Sequence, residues 1–364
     1  MNQINNLIVI PSLGFWWWTE NLCSTLWIEF YNKWYNIQYF TFYDKKDKYQ
    51  FKWEEYCLSE SKTNVLWNIY KLFKRAFEIK KYCKKYWITK CLSFISDANF
   101  STIISRFFWN KSKIYISVEY SIDAYNGSLY HCLIKLLYKY ADKIIVHTQY
   151  EYDNLIKNYK INNDNVVLIP NFIDINNIQK LFSEKLDMYE KLFENGKFSF
   201  ISIWSLKKVK NQEFMIKTFN KLNEKYKNIQ LIILWDWKNK ESLKKIANGD
   251  VHFLWAQKNV FKFLSKSNCF LLTSKSESFS IAILEAMVSN LPIISTRTQW
   301  PTEILDNGIY GILVEDSEKD LYSAMERILI NKKLRDYYRQ KSNERVQIYK
   351  KECIIGLWET VFNE

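Results

Sequence analysis

Two carboxylates, Glu277 and Glu285, stand eight residues apart in the stretch Ser274-Lys275-Ser276-Glu277-Ser278-Phe279-Ser280-Ile281-Ala282-Ile283-Leu284-Glu285-Ala286-Met287. An apolar run of strand length, Cys269 to Ser274, comes just before, and from Ile281 the apolar residues recur with helical spacing. Glu277 therefore falls in the loop at a strand's C-terminal end. Glu285, a little over two helical turns further on, lies on roughly the face that Glu277 overhangs. Free backbone N–H groups where a strand feeds a helix suit a phosphate, and carboxylates on either side of it can hold hydroxyl groups. Two solvated acids near a helix start would show the same spacing, because acidic residues favour a first turn.

The other chemistry-bearing residues are cationic or scattered. Lys210 ends the run Trp204-Ser205-Leu206-Lys207-Lys208-Val209-Lys210, which follows the apolar Phe198 to Ile203. It reads either as a phosphate partner or as a solvated loop cation. The three histidines stand apart from one another, and His147 reads as a strand-end residue. Seven cysteines, odd in number and without a Cys-x-x-Cys pair, read as reduced thiols, so neither a disulfide frame nor a structural metal is expected. A formal charge of +13 points to an anionic partner: phosphorylated substrates, an anionic membrane surface or nucleic acid.

These residues need elements to position them. Strand patterns recur at 7–12, 35–43, 91–96, 113–118, 143–148, 165–169 and 198–203 with helical patterns between them, which predicts an α/β chain with doubly wound parallel sheets. At 364 residues there is room for two domains, with the join expected in the charged stretch 175–196. No run approaches the roughly 20 apolar residues of a membrane span, and Leu7 to Ile10 is too short for a secretory core, so a cytoplasmic protein is expected. The helical region 65–86 interleaves Tyr70, Phe73, Phe77, Ile79, Tyr82 and Tyr86 with seven Lys or Arg residues against one acid, Glu78. That pattern serves either an anionic membrane surface or a helix covering a sheet with a solvated basic face.

One compositional feature is abnormal. Glycine is 7 of 364, about 2 per cent where about 7 per cent is usual, and tryptophan reaches 15. Trp16, Trp17, Trp18, Trp27, Trp34, Trp53, Trp67, Trp87, Trp109, Trp204, Trp235, Trp237, Trp255 and Trp300 fall in turns, strand ends or loops, and only Trp358 sits on an amphipathic pattern. Adding those fourteen to the seven glycines gives 21, leaving one tryptophan. We read this as a codon that means glycine in the source, UGA in a lineage that reassigned it, translated as tryptophan. On that reading Gly14 with positions 16, 17 and 18 forms a glycine-rich loop from the first strand into a helix, where the backbone can approach a ligand.

Glu277 and Glu285 with Ala286-Met287 and Leu291-Pro292-Ile293-Ile294-Ser295-Thr296 resemble the nucleotide-binding signature of retaining glycosyltransferases of family four. The stretches Tyr140 to Thr148, Ile169 to Asp174, Thr298 to Ile304 and Gly308 to Val314 are similar to the same family in order and spacing. The resemblance implies a GT-B fold, two Rossmann-like domains facing a central cleft. Residues 1–185 would form the acceptor side and 196–345 the nucleotide-sugar side, with 346–364 a helix packing back on the N-terminal domain.

It also implies roles. Glu277 would touch the donor sugar and Glu285 hold the ribose. Amides around Phe279, Ser280 and Ile281 would meet the diphosphate together with Lys210, and the loop His252 to Val260, with Gln257 and Val260, would cradle the base. Ser205 stands where the family often has Arg, Trp204 where it has Gly, and Val118-Glu119-Tyr120-Ser121 where a His is often found. The implied reaction is metal-independent, cofactor-free, retaining transfer from a UDP- or GDP-sugar to a glycan or lipid-linked acceptor in surface polysaccharide or lipopolysaccharide biosynthesis. Peripheral contact with the inner membrane leaflet would fit such an acceptor, and no nucleic acid is needed. A sugar-nucleotide epimerase on the same fold and a basic nucleic-acid-binding protein are the alternatives.

Overall fold

The computed structural model describes residues 5–12, 18–33, 36–44, 55–60, 65–205, 208–236, 240–255, 257–277 and 279–364. Contacts divide the chain into Met1–Pro170 and Asn171–Glu364, ahead of the join expected at 175–196. The first unit holds strands β1 (Asn5–Ile10), β2 (Asn36–Thr41), β3 (Glu55–Cys57), β4 (Ile88–Phe94), β5 (Lys113–Ser117), β6 (Lys143–Val146) and β7 (Val166–Leu168). They form one sheet in the order β3-β2-β1-β4-β5-β6-β7, every neighbouring pair parallel. The second unit holds β8 (Phe198–Ser205), β9 (Ile229–Asp236), β10 (Val251–Trp255), β11 (Cys269–Leu272), β12 (Ile293–Thr296) and β13 (Ile312–Val314). Its order is β10-β9-β8-β11-β12-β13, again all parallel.

Parallel sheets covered by helices on both faces need strands that are apolar on both sides. β11 shows this: Cys269, Phe270, Leu271 and Leu272 have no exposed surface. A sheet of this kind offers ligands only its strand ends, at the point where the strand order reverses. In the first unit that point lies between β1 and β4, and in the second between β8 and β11. The loop after β1, with Gly14, Trp16 and Trp17, lies outside the described residues, and Trp18 opens the helix Trp18–Asn32. β3 was not legible in the sequence. It is a three-residue edge strand, Glu-Tyr-Cys, anchored where the Thr41 hydroxyl donates to the Glu55 carboxylate at 2.7 Å.

Two tryptophans adopt a backbone that suits glycine. Trp87, just past the helix Val65–Lys85, has φ 54°, and Trp109, just past the turn Arg106–Phe108, has φ 64°. Both are more than four-fifths exposed, at 82% and 81%. A bulky residue in the left-handed region is strained by about 1–2 kcal/mol, which glycine avoids. Trp300 differs, being 2% exposed inside the helix Gln299–Ile304. Trp358 is fully buried on the helix Lys351–Asn363, as its amphipathic pattern predicts. That terminal helix belongs to the second unit, joined to it by a bridge from Lys350 to Ile173 and by the Lys351–Asp174 ion pair at 3.1 Å.

In the first unit a buried ion pair fixes the helix Val65–Lys85 to the sheet edge. The Arg75 guanidinium donates to Glu60 Oε2 from Nε at 3.1 Å and Nη2 at 2.8 Å, and Nη2 also donates to the Tyr43 hydroxyl at 2.8 Å. Its plane lies 4.2 Å from the Phe42 ring centroid, and the two charged side chains are 3% and 5% exposed. Arg75→Met should therefore leave the Glu60 carboxylate with only the Lys71 ammonium, 3.9 Å away, among the described residues, and destabilise the first unit by about 2–4 kcal/mol. Urea unfolding followed by circular dichroism would read this, and a change under 1 kcal/mol would contradict it.

Candidate active site

The second sheet's switch point brings together residues far apart in the chain. Lys210 follows β8 and Glu277 follows β11, and the Lys210 ammonium donates to both Glu277 oxygens at 2.7 Å. The two side chains are 14% and 3% exposed. Backbone ties hold the two loops in register. The Lys275 amide donates to the Val209 carbonyl at 2.8 Å, and the Thr273 hydroxyl donates to the carbonyls of Lys210 and Asn211 at 3.1 and 3.3 Å. Asn211 itself takes a left-handed conformation, φ 54°, which starts the helix Gln212–Lys225 directly after the lysine. From the β12 side, the Thr296 hydroxyl donates to the Ser274 carbonyl at 2.6 Å.

Beyond Glu277 the helix Ile281–Val288 begins with Ser280 at its N-terminal boundary, without a side-chain cap and without an acid in the first turn. The Ile281 amide, expected to face a diphosphate, instead donates to the Phe279 carbonyl at 3.1 Å because the chain turns tightly into the helix. Around this turn the buried Ser274, Ser280 and Thr298 hydroxyls have no hydrogen-bond partner among the described residues. Buried polar atoms left unmatched are costly, so a cluster of them beside a helix N-terminus marks a place suited to a polar ligand. Phe279 stacks edge-on against Trp300 with ring centroids 5.0 Å apart.

Glu285 lies on the same helix, partly covered. Burial alone pushes its carboxyl up to about 7. Ser205 closes β8 in register with Asp236. Gln257 donates from Nε2 to the Trp255 carbonyl at 3.0 Å, and Val260 packs on the second-unit core. Sequence reasoning missed Asn259, which holds that loop: its amide donates to the Leu181 carbonyl at 2.8 Å while its carbonyl oxygen accepts from the Phe261 amide at 2.9 Å.

The first unit carries a polar cluster of its own at the ends of β5 and β6. Glu119, standing where a histidine was expected, accepts from Ser117 at 2.7 Å and lies 3.1 Å from His147 Nε2. His147 Nδ1 is 2.7 Å from the Ile169 carbonyl. Burial lowers the imidazole's pKa, but the Glu119 carboxylate and the Ile169 carbonyl outweigh it and the net shift is upward. His147 is thus a buried partner of Glu119 rather than a plain strand-end residue. The pairing joins residues 28 positions apart, which no local spacing displays.

Known proteins resemble this chain over most of its length. The family model described as glycosyl transferases group 1 matches residues 183–345. An uncharacterized glycosyltransferase of Methanocaldococcus jannaschii is 31% identical, covering 91% of this chain and 93% of that relative. The chain is a group 1 glycosyl transferase. The transferase is also 25% identical to the N-acetylgalactosamine-N,N'-diacetylbacillosaminyl-diphospho-undecaprenol 4-alpha-N-acetylgalactosaminyltransferase of Campylobacter jejuni, over 80% of this chain and 81% of that one. Its GT-B fold is matched by Anabaena HepE, solved in complex with UDP-glucose, with a TM-score of 0.75, 13% identity, and coverage of 99% and 100%.

The raised Glu285 pKa has a consequence for stability with a definite sign. Between its ordinary value of 4.5 and about 7, the folded protein keeps a proton that the unfolded chain has released, so stability falls as pH rises through that window. Glu285→Gln removes the titration. Its melting temperature should match that of the parent below the window and exceed it above. Parallel melting curves across the whole range would show that burial does not perturb this carboxyl.

Proposed function

We propose that the transferase moves a sugar from a nucleotide diphosphate-sugar, UDP- or GDP-linked, to a glycan or lipid-linked acceptor with retention and without a metal ion. The observation that carries this reading is the Lys210–Glu277 pair at the switch point, flanked by a helix N-terminus with unmatched hydroxyls. A donor diphosphate placed there would draw the Lys210 ammonium to its oxygens, and the helix end would add partial positive charge where the leaving group's charge develops. Glu277, released from Lys210, would accept hydrogen bonds from sugar hydroxyls and favour positive character at the anomeric carbon. Glu285, ionised, would accept from the ribose hydroxyls.

The anomeric carbon–phosphate oxygen bond breaks first. The acceptor oxygen bonds to that carbon from the same face, and its proton passes to the departing phosphate oxygen. No side chain needs to form a covalent intermediate. The diphospho-undecaprenol in the name of the Campylobacter relative supports a lipid-linked acceptor in glycolipid or surface polysaccharide assembly and peripheral membrane contact. The left-handed, exposed Trp87 and Trp109 support reading the fourteen suspect tryptophans as glycines in the native protein, which would make the loop at 14–18 glycine-rich.

Release of UDP or GDP from a panel of nucleotide-sugars tests the reaction. Glu277→Gln and Lys210→Ala should each lower turnover about 100-fold or more, and Glu285→Ala should raise KM for the donor. The same rise in donor KM should appear in the parent as pH falls below about 7, where Glu285 gains its proton. Full turnover by Glu277→Gln would remove the proposed sugar contact. Peptide masses from the source organism test the recoding, and tryptophan at positions 87 and 109 would end it.

A further inference from the structure

The first unit has an apolar cavity of about 380 Å³ where the helices Val65–Lys85, Ser96–Ser105 and Leu129–Leu137 meet the turn Arg106–Phe108. Leu72, Phe73, Ile104, Phe107, Leu133 and Leu136 line it, with no charged side chain among its walls. Its mouth is open to water: Phe73 is 51% exposed, Phe107 54% and Leu136 59%, with Phe77 beside them at 46%. A contiguous exposed apolar surface of this kind is uncommon on a protein face that meets only water.

The rim is cationic. Lys74 on the first helix and Lys139 at the third are exposed. The Lys80 ammonium lies 5.6 Å from the Phe77 ring centroid, and that of Lys139 lies 5.2 Å from the ring of Tyr140, itself part of the cavity wall. The acid on the first helix, Glu78, is 3.9 Å from Lys81, and Leu129–Leu137 carries none. This arrangement follows the layout of a side that lies on lipid, with aromatic and aliphatic groups between amphipathic lysines whose stems reach along apolar surface.

We infer that this groove seats the transferase on an anionic lipid bilayer, an acyl chain entering the cavity while the lysine rim meets phosphate headgroups. Charge argues against a second copy as the occupant. Two such faces brought together would oppose the same lysines, in a chain already carrying +13, whereas an anionic bilayer complements them. The inference deepens the proposed use of a lipid-linked acceptor and leans on that reading. Its test, however, reads binding without turnover, so either can fail alone.

The test is co-sedimentation of the full chain with phosphatidylcholine vesicles, with and without phosphatidylglycerol, at low and high salt. Binding should require phosphatidylglycerol and weaken with salt. Phe73→Glu and Leu136→Glu should each reduce it about tenfold or more, and Lys74→Gln and Lys139→Gln about fivefold each. Circular dichroism melting checks that each variant folds, and Phe73→Ser with Leu136→Ser gives a milder apolar change should the charged ones unfold. Nucleotide release from the donor alone should stay unchanged in all of them. Equal binding to neutral and anionic vesicles, binding that ignores the apolar variants, or no binding would overturn the inference. So would a dimer that Phe73→Glu dissolves without any lipid binding.

Discussion

A carboxylate taken out of water destabilises a fold by several kcal/mol unless a cation meets it. Glu277 is nearly inaccessible, and Lys210 meets it with both oxygens engaged. The local architecture of the second unit serves that encounter. β8 and β11 lie side by side at the reversal of strand order, which puts the loops after them next to each other. Thr273 and Lys275 bond across to the Val209–Asn211 backbone, so the cation and the carboxylate are held by main chain and not by side-chain reach alone. β11 beneath is apolar on both faces and leaves no room there for polar chemistry, whose place is the ends of the strands, where helix N-termini already carry partial positive charge.

Much of this was legible in the sequence because it is written in short-range patterns. The strand Cys269–Leu272, the loop at Glu277 and the helix carrying Glu285 follow one another within 20 residues, and apolar runs separated by helical periodicity announce a parallel sheet. Lys210 was legible only through family likeness, since nothing local distinguishes it from Lys207 or Lys208. The features that were missed are long-range or weakly patterned. Glu119 pairs with His147 across two strands, Asn259 clamps a segment some 78 positions earlier, and β3 has three residues and no alternation. The bond from the Ile281 amide to the Phe279 carbonyl was missed because a tight turn competes with the helix for that amide.

The two units reuse one plan and differ in the polar groups at their strand ends. In the second, a cation and a carboxylate meet beside unmatched hydroxyls. In the first, the polar groups at the ends of β5 and β6 are mutually satisfied: Ser117, Glu119, His147 and the Ile169 carbonyl form a closed network. A satisfied buried network rigidifies, whereas an unsatisfied one is kept for a ligand to complete. The second unit is therefore the one whose strand ends are left incomplete among the described residues.

Trp87 and Trp109 have a practical consequence. Each ends a helical segment with an indole in water on a left-handed backbone, so the residue strains the native state while adding apolar surface to its outside. If glycine is native at those positions, a host that reads the codon as tryptophan would produce a chain with the right topology but lower solubility. Yield from such a host would then reflect the decoding of the message, and a poor preparation would say little about the enzyme's own fold.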